Sequence, residues 1–166
     1  MSNEATFQSL SILLADASTA VIGLGNPDRS DDGIGVEMAR QLKRRRPEHV
    51  FFEPEHNPED VVLELLETER IRNVLFIDAV DFGDKPGAMK LSGAADAKRL
   101  LPAISTHQVP ITLLMELLQA KGKQSRLFGI QPGSAALFSE MTDSVKQALD
   151  DFNKSVVDKI RIKGFS

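Results

Sequence analysis

"VIGLGNPDRSDDGIGVEMARQL", residues 21–42, begins as an apolar strand, turns on glycines at 23 and 25, and opens an amphipathic run at a second glycine pair, 33 and 35. Free backbone N–H groups at such a strand-to-helix turn favour anions. This turn nevertheless carries three carboxylates, Asp28, Asp31 and Asp32. It also lacks the third glycine of a dinucleotide fingerprint, because position 28 is Asp. The pattern is therefore a strand and a helix joined by an acidic turn, which suits a cation better than a phosphate.

Outward from this unit the pattern alternates. Ile34, Met38, Ala39 and Leu42 fall on one helical face that continues to Arg46, with Pro47 as the stop. Val50–Phe52 reads as a second strand, and Asn57-Pro58-Glu59 as an N-cap with proline at the first helical position. Asn73–Asp78, "NVLFID", is a nearly continuous apolar run, as a strand buried on both faces requires. Pro86-Gly87 precedes a short strand, "AMKLS". Residues 109–120 form a helix apolar on almost every side, hence expected to be buried. "RLFGIQ" is a further strand, and Val145, Ala148, Leu149, Phe152, Val156 and Ile160 mark a long C-terminal helix. The expectation is an α/β three-layer sandwich: a mostly parallel twisted sheet of about five strands with helices on both faces. Residues 1–166 are expected to form one domain, with 1–17 a helical extension.

Composition narrows the function. A chain of 166 residues can bury roughly 70% of its unfolded surface without disulfide staples. It has no cysteine, which excludes thiol nucleophiles, zinc–thiolate sites and iron–sulfur ligation. The first twenty residues contain Glu4 and Asp16 with no basic leader and no apolar run of membrane length, so the expected location is the cytoplasm. A net charge of −4 without Tyr or Trp argues against a nucleic-acid surface. The one basic cluster, Lys43-Arg44-Arg45-Arg46, reads as the solvated last turn of a helix. A monomer is the default expectation.

In an open parallel sheet, ligands bind beyond the carboxyl ends of the strands. Asp32 follows the first strand, Asp78 ends the third, and His107 lies in the "STHQVP" loop that enters the apolar helix. Two carboxylates and an imidazole from separate elements make an oxygen and nitrogen site suited to a transition metal. Simpler roles exist for each. Asp32 would serve as a helix cap, Asp31 as a cap or an outer partner of the site, Asp78 as a partner of its own turn, and His107 as a hydrogen-bonded loop histidine. Asn26 reads as a turn former, His49 and His56 as surface residues, and Phe128 and Phe138 as packing residues. Convergence on one rim carries the case for a site.

The chain has no G-x-x-x-x-G-K-S/T, G-x-S-x-G or H-E-x-x-H motif. "GLGNP" after a strand resembles the peptidyl-tRNA hydrolases, but that family's following turn carries a His-Asn pair where Asp31-Asp32 stands here. The wider match is to the hydrogenase maturation endopeptidases. "GLGNPDRSDDGIGVEMA" resembles that family's glycine and acid-rich turn, "LFIDAVD" its strand ending in Asp, "STHQVPITLLMELL" its histidine loop and helix, and "LFGIQP" with "MTDSVKQAL" its last strand and helix. The resemblance implies an endopeptidase that trims the C-terminal tail from the large-subunit precursor of a nickel–iron hydrogenase. It also implies that Asp32, Asp78 and His107 are the metal-binding and catalytic residues, acting on nickel that the precursor brings, with the enzyme's own site empty or holding another divalent cation. The rival readings are a peptidyl-tRNA hydrolase-like esterase and a non-catalytic nickel-sensing chaperone. One departure stands out. Glu53-Pro54-Glu55-His56 replaces the family's Asp-Gly-Gly stretch, which would allow His56 to approach the site.

Overall fold

The structure, a computed structural model, describes residues 3–101 and 109–161. Its elements run α1 (Asn3–Ala15), β1 (Thr19–Gly23), a 3-10 turn (Ser30–Gly33), α2 (Ile34–Arg45), β2 (Val50–Phe52), α3 (Pro58–Leu66), β3 (Asn73–Ala79), β4 (Met89–Gly93), α4 (Ala94–Leu100), α5 (Ile111–Ala120), β5 (Gln124–Ile130) and α6 (Asp143–Ser155). The five strands form one sheet in the order β2-β1-β3-β5-β4, parallel except for β4, which pairs antiparallel with β5 at the edge. This is the expected three-layer architecture.

Alternation along the strands divides the core between the two faces. Val21, Leu75, Ile77, Phe128 and Ile130 join α1, α2 and α6, where Leu10, Met38, Leu42 and Phe152 are buried. Ala20, Ile22, Val74, Phe76 and Leu127 join α3, α4 and α5 on the other face. The glycines of the opening stretch set how closely α2 approaches the sheet. A Cβ on Gly35 would overlap the carbonyl of Ile77 and lie 2.5 Å from that of Leu24, and one on Gly23 would lie 2.5 Å from the Ala39 Cβ. These glycines serve helix–strand contact rather than a ligand.

Asn57 caps α3 as expected, accepting the Asp60 N–H at 3.1 Å, with Pro58 at the first helical position. Other local expectations are corrected. In α5, Ile111, Leu114, Met115 and Leu118 are buried but Leu113 and Leu117 are exposed, so the helix is covered on one face only. The C-terminal helix ends at Ser155, and the apolar periodicity of Val156 and Ile160 passes through a 3-10 turn over Val157–Lys159. Helix α4 was not expected from the sequence. Phe128 packs on Phe152 with ring centroids 6.0 Å apart, but Phe138 is 82% exposed and is not a packing residue. The basic run is only partly solvated. Arg46 Nη2 donates to the Thr19 carbonyl at 2.8 Å and Lys43 Nζ to that of Val50 at 3.1 Å, tying the end of α2 to the sheet. No helix among the described residues is long and apolar enough to cross a membrane.

Candidate active site

Chain connectivity reverses direction at β1. From β1 the chain passes to β2 on one side, then crosses back to β3 on the other. The crevice at such a switch point is where open α/β sheets bind ligands. Here it is a cleft of about 1220 Å³ walled by Gly25–Arg29, Asp32, Glu53, Pro54, Asp78–Asp81 and the start of α5.

The acidic turn fills its own anion-binding positions. The Gly25 N–H donates to Glu53 Oε2 at 2.8 Å, the Asn26 N–H to Asp32 Oδ2 at 2.9 Å, and the Asp28 N–H to Asn26 Oδ1 at 2.9 Å. A phosphate would find these donors taken. Gly25 has φ +128°, and a Cβ there would collide with the Asp32 carbonyl, so the turn accepts only glycine at this position. Asn26 is the turn former the sequence indicates, its side chain closing an Asx turn.

The two adjacent acids of the turn diverge. Asp31 is fully buried. Its carboxylate accepts the N–H groups of Gly133 at 2.8 Å, Ser134 at 3.0 Å and Thr142 at 2.7 Å, and the Thr142 hydroxyl at 2.8 Å. It is therefore a clamp on the loop between β5 and α6. Asp32 points the other way, into the cleft. Neither caps α2, whose N-cap is Gly33 with no side-chain bond.

Asp78, the penultimate residue of β3, opens into the same cleft from the opposite side of the switch point and is 7% exposed. Burial pushes its carboxyl well above the usual carboxylate range. The charge of Asp32 and, less strongly, that of Glu53 push the same way, against a hydrogen bond from the Ala79 N–H. A carboxyl kept from ionising by burial and by a neighbouring acid is a frequent property of working sites. His107 lies outside the described residues. Among those residues, no group of three or more His, Asp or Glu side chains stands close enough to hold a metal ion.

His56 does not wall the cleft. Its ring packs edge-on against Phe51 and Phe52, with centroids 5.2 and 6.1 Å away, and is half-buried rather than on the surface. His49 is half-buried too, and burial followed by the charge of Arg70 lowers its pKa. The departure at 53–56 instead contributes Glu53, which the sequence reading did not nominate as a site residue. Asp81 and Gln131 were also missed. Gln131 Nε2 donates to Asp81 Oδ1 at 3.0 Å, while its Oε1 accepts the N–H groups of Phe82 and Asp84 at 2.9 and 3.2 Å. That brace fixes the turn following Asp78. Its only sequence signal is a glutamine directly after the apolar end of β5, Leu127–Ile130.

The fold recurs in known proteins. The HycI hydrogenase maturation protease of Thermococcus kodakarensis superposes with a TM-score of 0.73 at 26% identity, covering 90% of this chain and 97% of that one. The HycI endopeptidase of Escherichia coli shares the fold at a TM-score of 0.68 and 23% identity, covering 89% of this chain and 94% of its own. In sequence, the hydrogenase 3 maturation protease of Escherichia coli K12 is 26% identical over 128 residues, 76% of this chain and 81% of that protein. The profile of the hydrogenase maturation protease family matches residues 20–159, from β1 through the turn after α6. That span takes in the acidic turn, the end of β3 and the clamped loop, so this chain belongs to the hydrogenase maturation protease family and is an endopeptidase.

Proposed function

We propose that this enzyme removes the C-terminal tail from a nickel-loaded nickel–iron hydrogenase large-subunit precursor, working as a monomer in the cytoplasm. In this reading Asp32, Asp78 and His107 meet the nickel that the precursor carries. The observation that carries it is the pairing of Asp32 and Asp78 across the switch point, in one cleft, with Asp78 held toward its uncharged form. A cation between two such carboxylates offsets both the burial and the repulsion that hold Asp78 uncharged, and its binding releases the Asp78 proton.

The donor chemistry supports a visiting metal. The chain offers carboxylates and imidazole but no thiolate, and soft ligands hold nickel better than hard ones. Such a site can touch nickel on a substrate's thiolates without stripping it. Nickel on the substrate would supply Lewis-acid polarisation at the scissile bond, with an Asp of the cleft as general base the alternative. The chain's own residues orient the precursor: Asp32 is fixed by the Asn26 N–H, and the Gln131 brace fixes the turn after Asp78.

The test mixes the purified protein with its cognate precursor, with and without nickel, and follows tail removal. Cutting is expected only with nickel, and Asp32→Asn and His107→Ala are each expected to abolish it while the fold survives. Equal cutting of nickel-free precursor, or full activity in His107→Ala, would make this a metal-independent hydrolase. Binding without cutting would make it a chaperone.

A further inference from the structure

An endopeptidase must hold a polypeptide on either side of the bond it cuts, and apolar surface at the rim of the cleft would extend that grip beyond the cleft itself. The loop between β5 and α6 supplies some. Its two ends are fixed to the acidic turn by six hydrogen bonds: four to the Asp31 carboxylate, the Asp31 N–H to the Ser134 carbonyl at 3.2 Å, and the Ser30 hydroxyl to the Glu140 carbonyl at 2.7 Å. Between these anchors the loop presents Leu137 and Phe138, 53% and 82% exposed. Ala135 of the same loop walls the cleft, and the Phe138 N–H donates to the carbonyl of Asp28, a second wall residue, at 2.6 Å. The tip is thus one hydrogen bond from the cleft. Phe138 also has φ +56°. A bulky side chain costs free energy in that region, and such strain concentrates at ligand clamps. Exposure alone would be ordinary. Here a large apolar pair is exposed on a cross-linked loop, in a strained backbone, at the rim of the site.

Resting on the reading of the cleft as the cutting site, we propose that Leu137 and Phe138 form a docking ridge for an apolar segment of the polypeptide substrate. The segment lies beside the stretch of chain that enters between Asp32 and Asp78. Asp31 is the residue that makes the ridge rigid, so the two neighbouring acids of the turn divide the work, Asp32 facing the reacting bond and Asp31 holding the surface that receives the substrate. Rigid, partly exposed aromatics suit this task because little conformational entropy is lost when they are covered.

The experiment compares wild type, the double variant Leu137→Ser/Phe138→Ser, and Phe138→Gly. Steady-state cleavage of the nickel-loaded precursor gives KM and kcat, and a titration of precursor binding needs no cleavage. Both variants are expected to raise KM and the dissociation constant about tenfold or more and to leave kcat within about twofold. Phe138→Gly relieves the positive φ, so its melting temperature should not fall. A ring with only a structural role would therefore leave Phe138→Gly with normal binding, which would overturn the proposal. Unchanged KM in the double variant, or a fall in kcat alone, would also overturn it. So would self-association of the wild type in sedimentation that the double variant abolishes, because the ridge would then receive a second copy of this chain. If the wild type binds precursor without cutting it, the reading of the cleft as a cutting site fails and the ridge is still judged by the titration. If it neither binds nor cuts, both fall.

Discussion

Adjacent carboxylates of the same type do opposite things in this turn, and the difference is measurable. Truncating the buried Asp31 takes the charged acceptor from three N–H groups and a hydroxyl that are themselves only partly buried, and each lost bond to a charged group is costly. Asp31→Ala is expected to lose about 3 kcal/mol in denaturant titration; a loss below about 1 kcal/mol would show that the loop relaxes onto water. Asp78 behaves in the opposite sense. Its folded-state pKa is raised, first by burial and then by Asp32. The sign follows from linkage. Between the unfolded value of 3.8 and the raised folded value, the folded state binds the extra proton, so stability falls as pH rises through that window. Asp78→Asn removes the charge and the penalty. It should melt above wild type at pH 7, with the gap closing as the pH is lowered toward 3.8, while the proposed role of Asp78 leads us to expect that cleavage is lost. A variant that melts lower than wild type at neutral pH, with no pH dependence in the gap, would show that Asp78 is satisfied as an ion.

Among the elements, α2 carries the sharpest conflict between local and global preference. Gly35 sits in its first turn, where alanine would favour the helix by about 1 kcal/mol. A Cβ there would strike the carbonyls of Ile77 and Leu24, and overpacking of this kind costs about 1–3 kcal/mol. Packing should win, so Gly35→Ala is expected to lower the melting temperature and to reduce cleavage by displacing Asp32, which leads directly into the helix. Higher stability in this variant would show that α2 can lift off the sheet freely. The sequence discloses such elements unevenly, for physical reasons. Strands buried on both faces announce themselves as apolar runs, and α3 is marked by its Asn57 cap. Helix α4 buries only Ala97 and so leaves no hydrophobic stripe. Leu113 and Leu117 made α5 look buried all round, yet apolar composition does not reveal which face a neighbour covers. The strand ends put Asp32 and Asp78 on one rim, but the clamp role of Asp31 depends on partners about a hundred residues away, beyond the reach of any local pattern.

For the molecule as a whole, chemistry and stability are separated along the chain. The family profile begins at residue 20, after α1, and no residue of α1 walls the cleft. The helix nevertheless contributes Phe7, Leu10 and Leu14 to the core shared by α2 and α6, and the hydroxyl of Thr19, at the start of β1, donates to its Leu13 carbonyl at 2.8 Å. Burying three such side chains is worth about 5 kcal/mol before the entropy of ordering the helix is subtracted. Removing α1 also uncovers the apolar faces it packs on. Since domains are stable by only about 5–15 kcal/mol, a chain beginning at Asp16 is expected to melt well below the full chain and to bind a hydrophobic dye. It should still cut nickel-loaded precursor at low temperature with a near-normal kcat, because the switch point, the acidic turn and the clamped loop all lie beyond the deletion. Loss of kcat in a truncated chain that remains folded by circular dichroism would place α1 in the working part of the enzyme.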